Sequence, residues 1–153
     1  MADVSLNVAV IGFGYWGPNL VRNFNAQSNA DVLYVVDARK ERLEIVQKNY
    51  PAVTTTTEVE TAIMDTRTDA VVIATPVYTH FKLAKMALEA GKHVLIEKPM
   101  VATSAEAEAL VNLAEQKGLV VMVDHTFLYT GAVQKIKSII DTGLVGKLQY
   151  IDS

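Results

Sequence analysis

Three stretches of this chain carry residue types at spacings that could do chemistry. The first is Gly12-Phe13-Gly14-Tyr15-Trp16-Gly17, a G-x-G-x-x-G that follows the apolar run Val8 to Ile11 and leads into a helical segment from Pro18 to Asn25. At a strand-to-helix turn the first glycine permits the bend, the second lets a pyrophosphate approach bare main chain, and the third allows close helix packing. The phosphates then lie against the amide groups of the helix N-terminus. Asp37, with Ala38 beside it, closes the next apolar run 20 residues after Gly17. A carboxylate there is expected to hold both ribose hydroxyls of an adenosine.

Such a carboxylate repels the extra phosphate of NADP and favours NAD. Arg39 pulls the other way, because a guanidinium at that place can stack on adenine or reach a phosphate, so NADP is also admissible. Its alternative is a solvated helix start together with Lys40. Tyr15 and Trp16 are unusual bulk in such a loop: either they are core residues of the first helix, the preferred expectation, or they wall the nicotinamide side of a cleft.

The second stretch is Glu97-Lys98-Pro99, which ends the run Val94 to Ile96. The third group comprises Thr75-Pro76 after Val71 to Ala74, with His80 a little further on, and Asp124-His125 after Leu119 to Val123. If the apolar runs are parallel strands, ligands bind beyond their carboxyl ends. One face then collects a lysine, two histidines and several hydroxyls, an inventory suited to hydride transfer coupled to proton transfer on an alcohol. Burial favours a neutral amine at Lys98 whereas a nearby carboxylate favours the ammonium, so proton acceptor and charged hydrogen-bond donor both stay open. The bland alternative for Glu97, Lys98 and His80 is a solvated surface position.

These side chains need a scaffold, and the chain's rhythm supplies one. Val8 to Ile11, Val32 to Val36, Val71 to Ala74, Val94 to Ile96 and Leu119 to Val123 are valine- and isoleucine-rich without two-residue alternation, which predicts strands buried on both faces. Between them, Thr79 to Ala90 has the apolar spacing of a helix, with Thr79 as N-cap and Gly91 as stop. Thr103 and Glu106 have capping-box spacing at the head of a helix that runs to Lys117 and ends at Gly118. Regular alternation of this kind predicts a doubly wound α/β fold with a mostly parallel sheet. Thr54 to Thr57 reads as a strand end running into a helix cap before Glu58. Thr130 to Asp141 reads as a further helix stopped at Gly143, and Lys147 to Asp152 as the start of an alternating strand. We therefore expect a dinucleotide-binding domain over residues 1–125 and, over 126–153, the connecting helix and first strand of a truncated second α+β domain.

Composition narrows the partners. A chain of 153 residues fits one domain and can bury roughly two thirds of its unfolded surface. Half of it is apolar, a fifth is charged and the net charge is -3, which suggests neither disorder nor a nucleic-acid surface. The absence of cysteine excludes disulfides, thiolate metal sites and cysteine nucleophiles, and no metal site is expected. The start, MADVSLNVAVIGFG, has no basic segment and only a short, glycine-broken apolar run. That predicts neither a leader nor a membrane span, with the cytoplasm as the expected location. No heptad seam supports a scaffold role.

The stretches VAVIGFGYWGPNLVRNF, VVIATPVYTHFKLAKMALEAGKHVLIEKPM and VMVDHTFLYTGAVQKIKSII together resemble the N-terminal Rossmann domain of the Gfo/Idh/MocA oxidoreductases, named for glucose-fructose oxidoreductase and inositol dehydrogenase. The E-K-P after A-G-K-H-V is the most specific of these marks. The resemblance implies that Lys98 faces the reacting sugar hydroxyl and the nicotinamide, with Glu97 and a cis-disposed Pro99 fixing its backbone. It places Thr75, Pro76 and His80 beside the nicotinamide ribose. GYWGPNL and HTFLY look most like the branch acting on nucleotide-linked amino sugars, oxidising a ring hydroxyl at C3, which would bring His125 and Tyr129 to the substrate. Family members are much longer than this chain, and their second domain supplies the substrate sheet and the oligomer contacts. The chain alone is thus expected to bind NAD, with little turnover of a sugar or nucleotide-sugar. The rivals are a non-catalytic dinucleotide-binding or sensing module and a methyltransferase that binds adenosylmethionine; Gly17 and the E-K-P argue against the latter.

Overall fold

A computed structural model describes residues 5–152. Six parallel strands form one sheet: β1 Leu6–Ile11, β2 Ala30–Val36, β3 Thr54–Thr56, β4 Ala70–Ile73, β5 His93–Glu97 and β6 Val121–Asp124. Their order is β3-β2-β1-β4-β5-β6, with every neighbouring pair parallel. The chain winds outward from β1 in one direction and then from β4 in the other, so the reversal falls between β1 and β4. That is where a doubly wound sheet opens a crevice.

The unbroken apolar runs are explained by what covers the sheet. Successive side chains on a strand point to opposite faces. Ala9 and Ile11 pack into one buried cluster with Leu83, Ala84, Leu88 and Leu110; Val8 and Val10 pack into another with Leu20, Val21, Leu43 and Val46. Thus α1 Gly17–Asn25 and α2 Lys40–Asn49 cover one face, while α3 Val59–Met64, α4 Val77–Glu89 and α5 Ser104–Lys117 cover the other. Apolar residues on both faces hold the strands central, as the doubly wound expectation requires.

The α5 capping box forms in full, Glu106 N–H donating to Thr103 Oγ1 at 3.3 Å and Thr103 N–H donating to Glu106 Oε2 at 3.2 Å. The helix ends at left-handed Gly118. Two expectations fail. Thr79 is not the N-cap of α4: the helix starts at Val77 with Pro76 as its cap, because the proline ring sets φ at −60° and has no N–H to lose. Thr79 sits inside the first turn, where its hydroxyl donates to Pro76 O at 2.7 Å. Lys147 to Asp152 forms no strand; an isolated strand leaves its amides and carbonyls without partners, and no described strand pairs with this segment. The preceding helix, α6 Gly131–Asp141, forms as expected but buries none of its residues.

Candidate functional site

The glycine turn is built by contacts that exclude any side chain at two of its three glycines. Gly12 has φ +98°, and a Cβ there would lie 2.6 Å from Ala74 O. At Gly17 a Cβ would run into the carbonyl of Gly12. Gly12 N–H donates to Val36 O at 2.7 Å and Ala74 N–H to Ile11 O at 2.8 Å, pinning the turn between β2 and β4. Gly14 differs: beside it a Cβ would meet only the Arg39 guanidinium, 3.9 Å away. Its main chain is bare toward the cleft, as a diphosphate lying against backbone amides requires.

Asp37 follows β2 and is buried, at 8% exposure. Its Oδ2 accepts from Phe13 N–H at 2.8 Å and from an Arg39 NH2 at 3.2 Å. Its Oδ1 accepts from Arg39 N–H at 2.9 Å and Nε at 3.0 Å. Burial alone would push this carboxyl up, but the hydrogen bonds from Arg39 and Phe13 outweigh it and hold the group below its ordinary value. A ribose diol donating to Asp37 would have to share or replace the Arg39 contacts, since a carboxylate has about four acceptor sites.

These groups frame a cleft of about 790 Å³, within the range of small-molecule sites. Of the sequence-predicted residues, Gly12, Gly14, Tyr15, Trp16, Asp37, Ala38, Arg39, Thr75, Pro76, Glu97 and Lys98 line it. Tyr15 and Trp16 are not core residues. Tyr15 is 86% exposed and Trp16 40%, their rings meeting edge to face at 5.5 Å. The core reading fails because α1 starts at Gly17, after both aromatics. Phe13 and Gly17 are buried behind the turn rather than on the cleft wall.

Sequence reasoning missed Tyr78 and Lys82, which also line the cleft. They are four residues apart on α4, the spacing of one helical face. Thr57 and Val59, from the β3–α3 segment, line it too; no chemical signal marks them.

Lys98 is exposed and stands between this cleft and a second cavity of about 630 Å³, which His125 also lines. The Lys98–Pro99 peptide is cis. Glu97 is buried, and its Oε2 accepts from Lys98 N–H at 3.2 Å. Burial first, and then the neighbouring Asp124 carboxyl, pushes Glu97 above its ordinary value. Asp124 is its register partner on β6 and lines the second cavity. Tyr129 is exposed and belongs to neither wall.

His80 is neither on the helix surface nor on the cleft wall. It is buried at 1% exposure, with Nε2 2.7 Å from Thr75 O and Nδ1 3.1 Å and 3.2 Å from the carbonyl oxygens of Pro99 and Met100. Among the described residues no cluster of three or more His, Asp or Glu side chains is placed to hold a metal ion, and no helix is long and apolar enough to cross a membrane.

A family model described as an oxidoreductase family, NAD-binding Rossmann fold (Gfo/Idh/MocA), matches residues 6–125. Over all 153 residues the chain is 34% identical to YdgJ, an uncharacterised oxidoreductase of Escherichia coli K12, and covers 43% of it. Among solved structures, GenD2 from gentamicin A biosynthesis, in complex with NAD, superposes with a TM-score of 0.87 at 28% identity, over 92% of this chain and 40% of that one. KijD10, a 3-ketoreductase from Actinomadura kijaniata in complex with NADP and TDP-benzene, superposes with a TM-score of 0.84 at 25% identity, over 92% and 43%. The chain spans about two fifths of the length of the proteins it matches.

Proposed function

Because the chain belongs to the Gfo/Idh/MocA oxidoreductase family, whose NAD-binding Rossmann domain it spans, we propose that it serves hydride transfer between a nicotinamide and a ring hydroxyl of a sugar or nucleotide-sugar, C3 being the favoured carbon. The observation that carries this reading is that the bare main chain at Gly14 and the amine-bearing Lys98 line one cleft. The turn from Gly12 to Gly17 would hold the diphosphate, Asp37 the adenosine ribose, and Thr75 and Pro76 the segment nearer the redox ring. Bound nicotinamide supplies the hydride acceptor. The chain's own part is to place Lys98 where it takes up the hydroxyl's proton or donates a hydrogen bond to the hydroxyl's oxygen.

The C3 and nucleotide assignments are supported by KijD10, a 3-ketoreductase whose structure holds TDP-benzene. NAD is favoured by Asp37, and Arg39 beside it admits NADP. The second cavity, with His125 on its wall, is the assigned substrate side, and residues 126–152 are assigned to the junction with a further domain. Lys98 is exposed, so this chain by itself should bind cofactor and turn over little.

The test is Lys98→Ala in the complete protein, followed by NADH fluorescence and a UDP- and TDP-sugar dehydrogenase assay. Retained NADH binding with turnover reduced about a hundredfold or more supports the reading. Unchanged turnover would leave a dinucleotide-holding module in its place.

A further inference from the structure

We infer that His80 is a positioning residue for Lys98, its ring donating from both nitrogens to tie the Thr75 wall of the cleft to the turn that follows Lys98. The inference rests on the role proposed for Lys98, but its geometry stands apart from that role. His80 lies in the first turn of α4, seven residues from β4, yet its side chain reaches across to residues 99 and 100 beyond β5. It is the largest polar side chain among the fully buried ones.

Its three neighbours at hydrogen-bond distance are all carbonyl oxygens, those of Thr75, Pro99 and Met100. A carbonyl only accepts. A neutral imidazole has one N–H, so a singly protonated ring would satisfy one side and turn a lone pair toward oxygen on the other. With both nitrogens protonated every contact is a donated hydrogen bond, and the three oxygens offset the desolvation of the charge. The other titratable groups on α4 are Tyr78, Lys82, Lys85 and Glu89; β5 carries His93 and Glu97, Lys98 follows it, and Asp124 stands beside Glu97.

The consequence is mechanical. Thr75 lines the cofactor cleft, and Lys98 lines both that cleft and the second cavity. Backbone bonds between β4 and β5 run as far as Ile73 and Ile96; beyond them no backbone hydrogen bond among the described residues joins the two segments. His80 spans that gap. A side chain that fixes the spacing across a cleft acts on turnover more than on ligand affinity, because small misplacements weaken alignment before they weaken binding.

Long-range proton–nitrogen correlation spectra of the 15N-labelled chain read the ring directly. There are only three histidines, and His93→Gln and His125→Gln variants assign the remaining signals to His80. Two protonated ring nitrogens on His80 at neutral pH support the brace; one bare nitrogen overturns it. In His80→Asn the amide signals of Thr75 and Lys98 should shift together while that of Gly14 stays, and NADH affinity should change less than about threefold. In the complete protein kcat should fall at least about tenfold with KM for the cofactor little altered. An unmoved Lys98 signal, or parental kcat, refutes the inference. Should His80→Asn fail to fold, the ring-nitrogen spectrum of the parent still decides. If Lys98→Ala leaves turnover intact, the functional reading falls, whereas the spectrum tests the brace independently.

Discussion

The molecule contains the same small device twice. Asp37-Ala38-Arg39 and Asp65-Thr66-Arg67 are both Asp-x-Arg segments in which the arginine's backbone N–H, Nε and an NH2 all donate to its own aspartate, at 2.9, 3.0 and 3.2 Å in the first and 2.8, 3.1 and 2.6 Å in the second. The further donor differs. For Asp37 it is Phe13 N–H of the glycine turn; for Asp65 it is the Tyr34 hydroxyl, at 2.8 Å. Surroundings differ too. The first pair sits past the carboxyl end of β2, its arginine over Gly14. The second precedes β4 at the opposite end of the sheet, where Lys92 Nζ donates to Asp65 O at 2.9 Å and Thr68 O at 2.6 Å. One local geometry is thus a cleft-lining element in one place and a structural staple in the other, and the neighbouring strand ends decide which.

The largest effect should come from breaking the turn on which the first pair depends. Gly12→Ala puts a methyl against Ala74 O at a φ of +98°, combining backbone strain with a rigid overlap. About 3 kcal/mol of stability should be lost, with NADH binding abolished. Gly91→Ala is the control, since its φ is +78° but nothing lies within 4 Å. It should cost only about 1 kcal/mol. Denaturant midpoints of the two variants compare strain plus collision with strain alone, and equal losses would remove the collision from the argument.

Next come the two aspartates themselves. Asp37→Asn should weaken NADH binding about tenfold or more, a change of about 1.4 kcal/mol, while Asp65→Asn should leave it unaltered. Both carboxyls are held below their ordinary values, Asp65 by the Arg67 side chain first, then the Arg67 backbone N–H and Tyr34, and Asp37 by Arg39 and Phe13 against an opposing burial effect. A group lowered on folding contributes stability that is present above its unfolded pKa and is lost as pH falls. Each asparagine variant should therefore flatten the acid limb of a stability–pH curve. If Asp65→Asn also weakened NADH binding, the two devices would not be separable by location.

Glu97 supplies the opposite sign within the cleft. Its pKa is raised, so it favours the folded state below its unfolded value near 4.3, and that contribution is lost as pH rises through the higher folded value. Glu97→Gln should flatten the neutral side of the curve, where Asp37→Asn flattens the acid side. Denaturant titrations between pH 4 and 8 would separate them, and parallel changes would show that burial does not set Glu97 apart.

How far these features were legible from sequence follows from the range of the forces behind them. Gly12, Gly14, Gly17 and Asp37 were visible because a turn and a strand end are local, and the strands were visible because burial on both faces leaves continuous valine and isoleucine runs. Helix α5 was visible through Thr103, Glu106 and Gly118, all local caps. His80 was misplaced, since its partners at Pro99 and Met100 are 19 and 20 residues away. Tyr78 and Lys82 went unseen because nothing in α4 marks which face borders the cleft until β1 and β4 are neighbours. The Asp-x-Arg repeat itself could be read from sequence, but its two roles could not.

The smallest effect tests the aromatic pair that overturned a sequence expectation. Tyr15 is 86% exposed and its one aromatic partner is Trp16. A side chain that buries so little should contribute little to folding, and Tyr15→Ala should change stability by less than about 0.5 kcal/mol. It does line the cleft, where a ring could cover a bound ligand, and NADH affinity should fall about threefold. The split between the two measurements is the content of the prediction. A stability loss comparable to that of Gly12→Ala would return Tyr15 to the packing role that its exposure denies. Unchanged stability and unchanged affinity together would leave Trp16 and Arg39, not Tyr15, as the side chains that close the mouth of the cleft over the glycine turn.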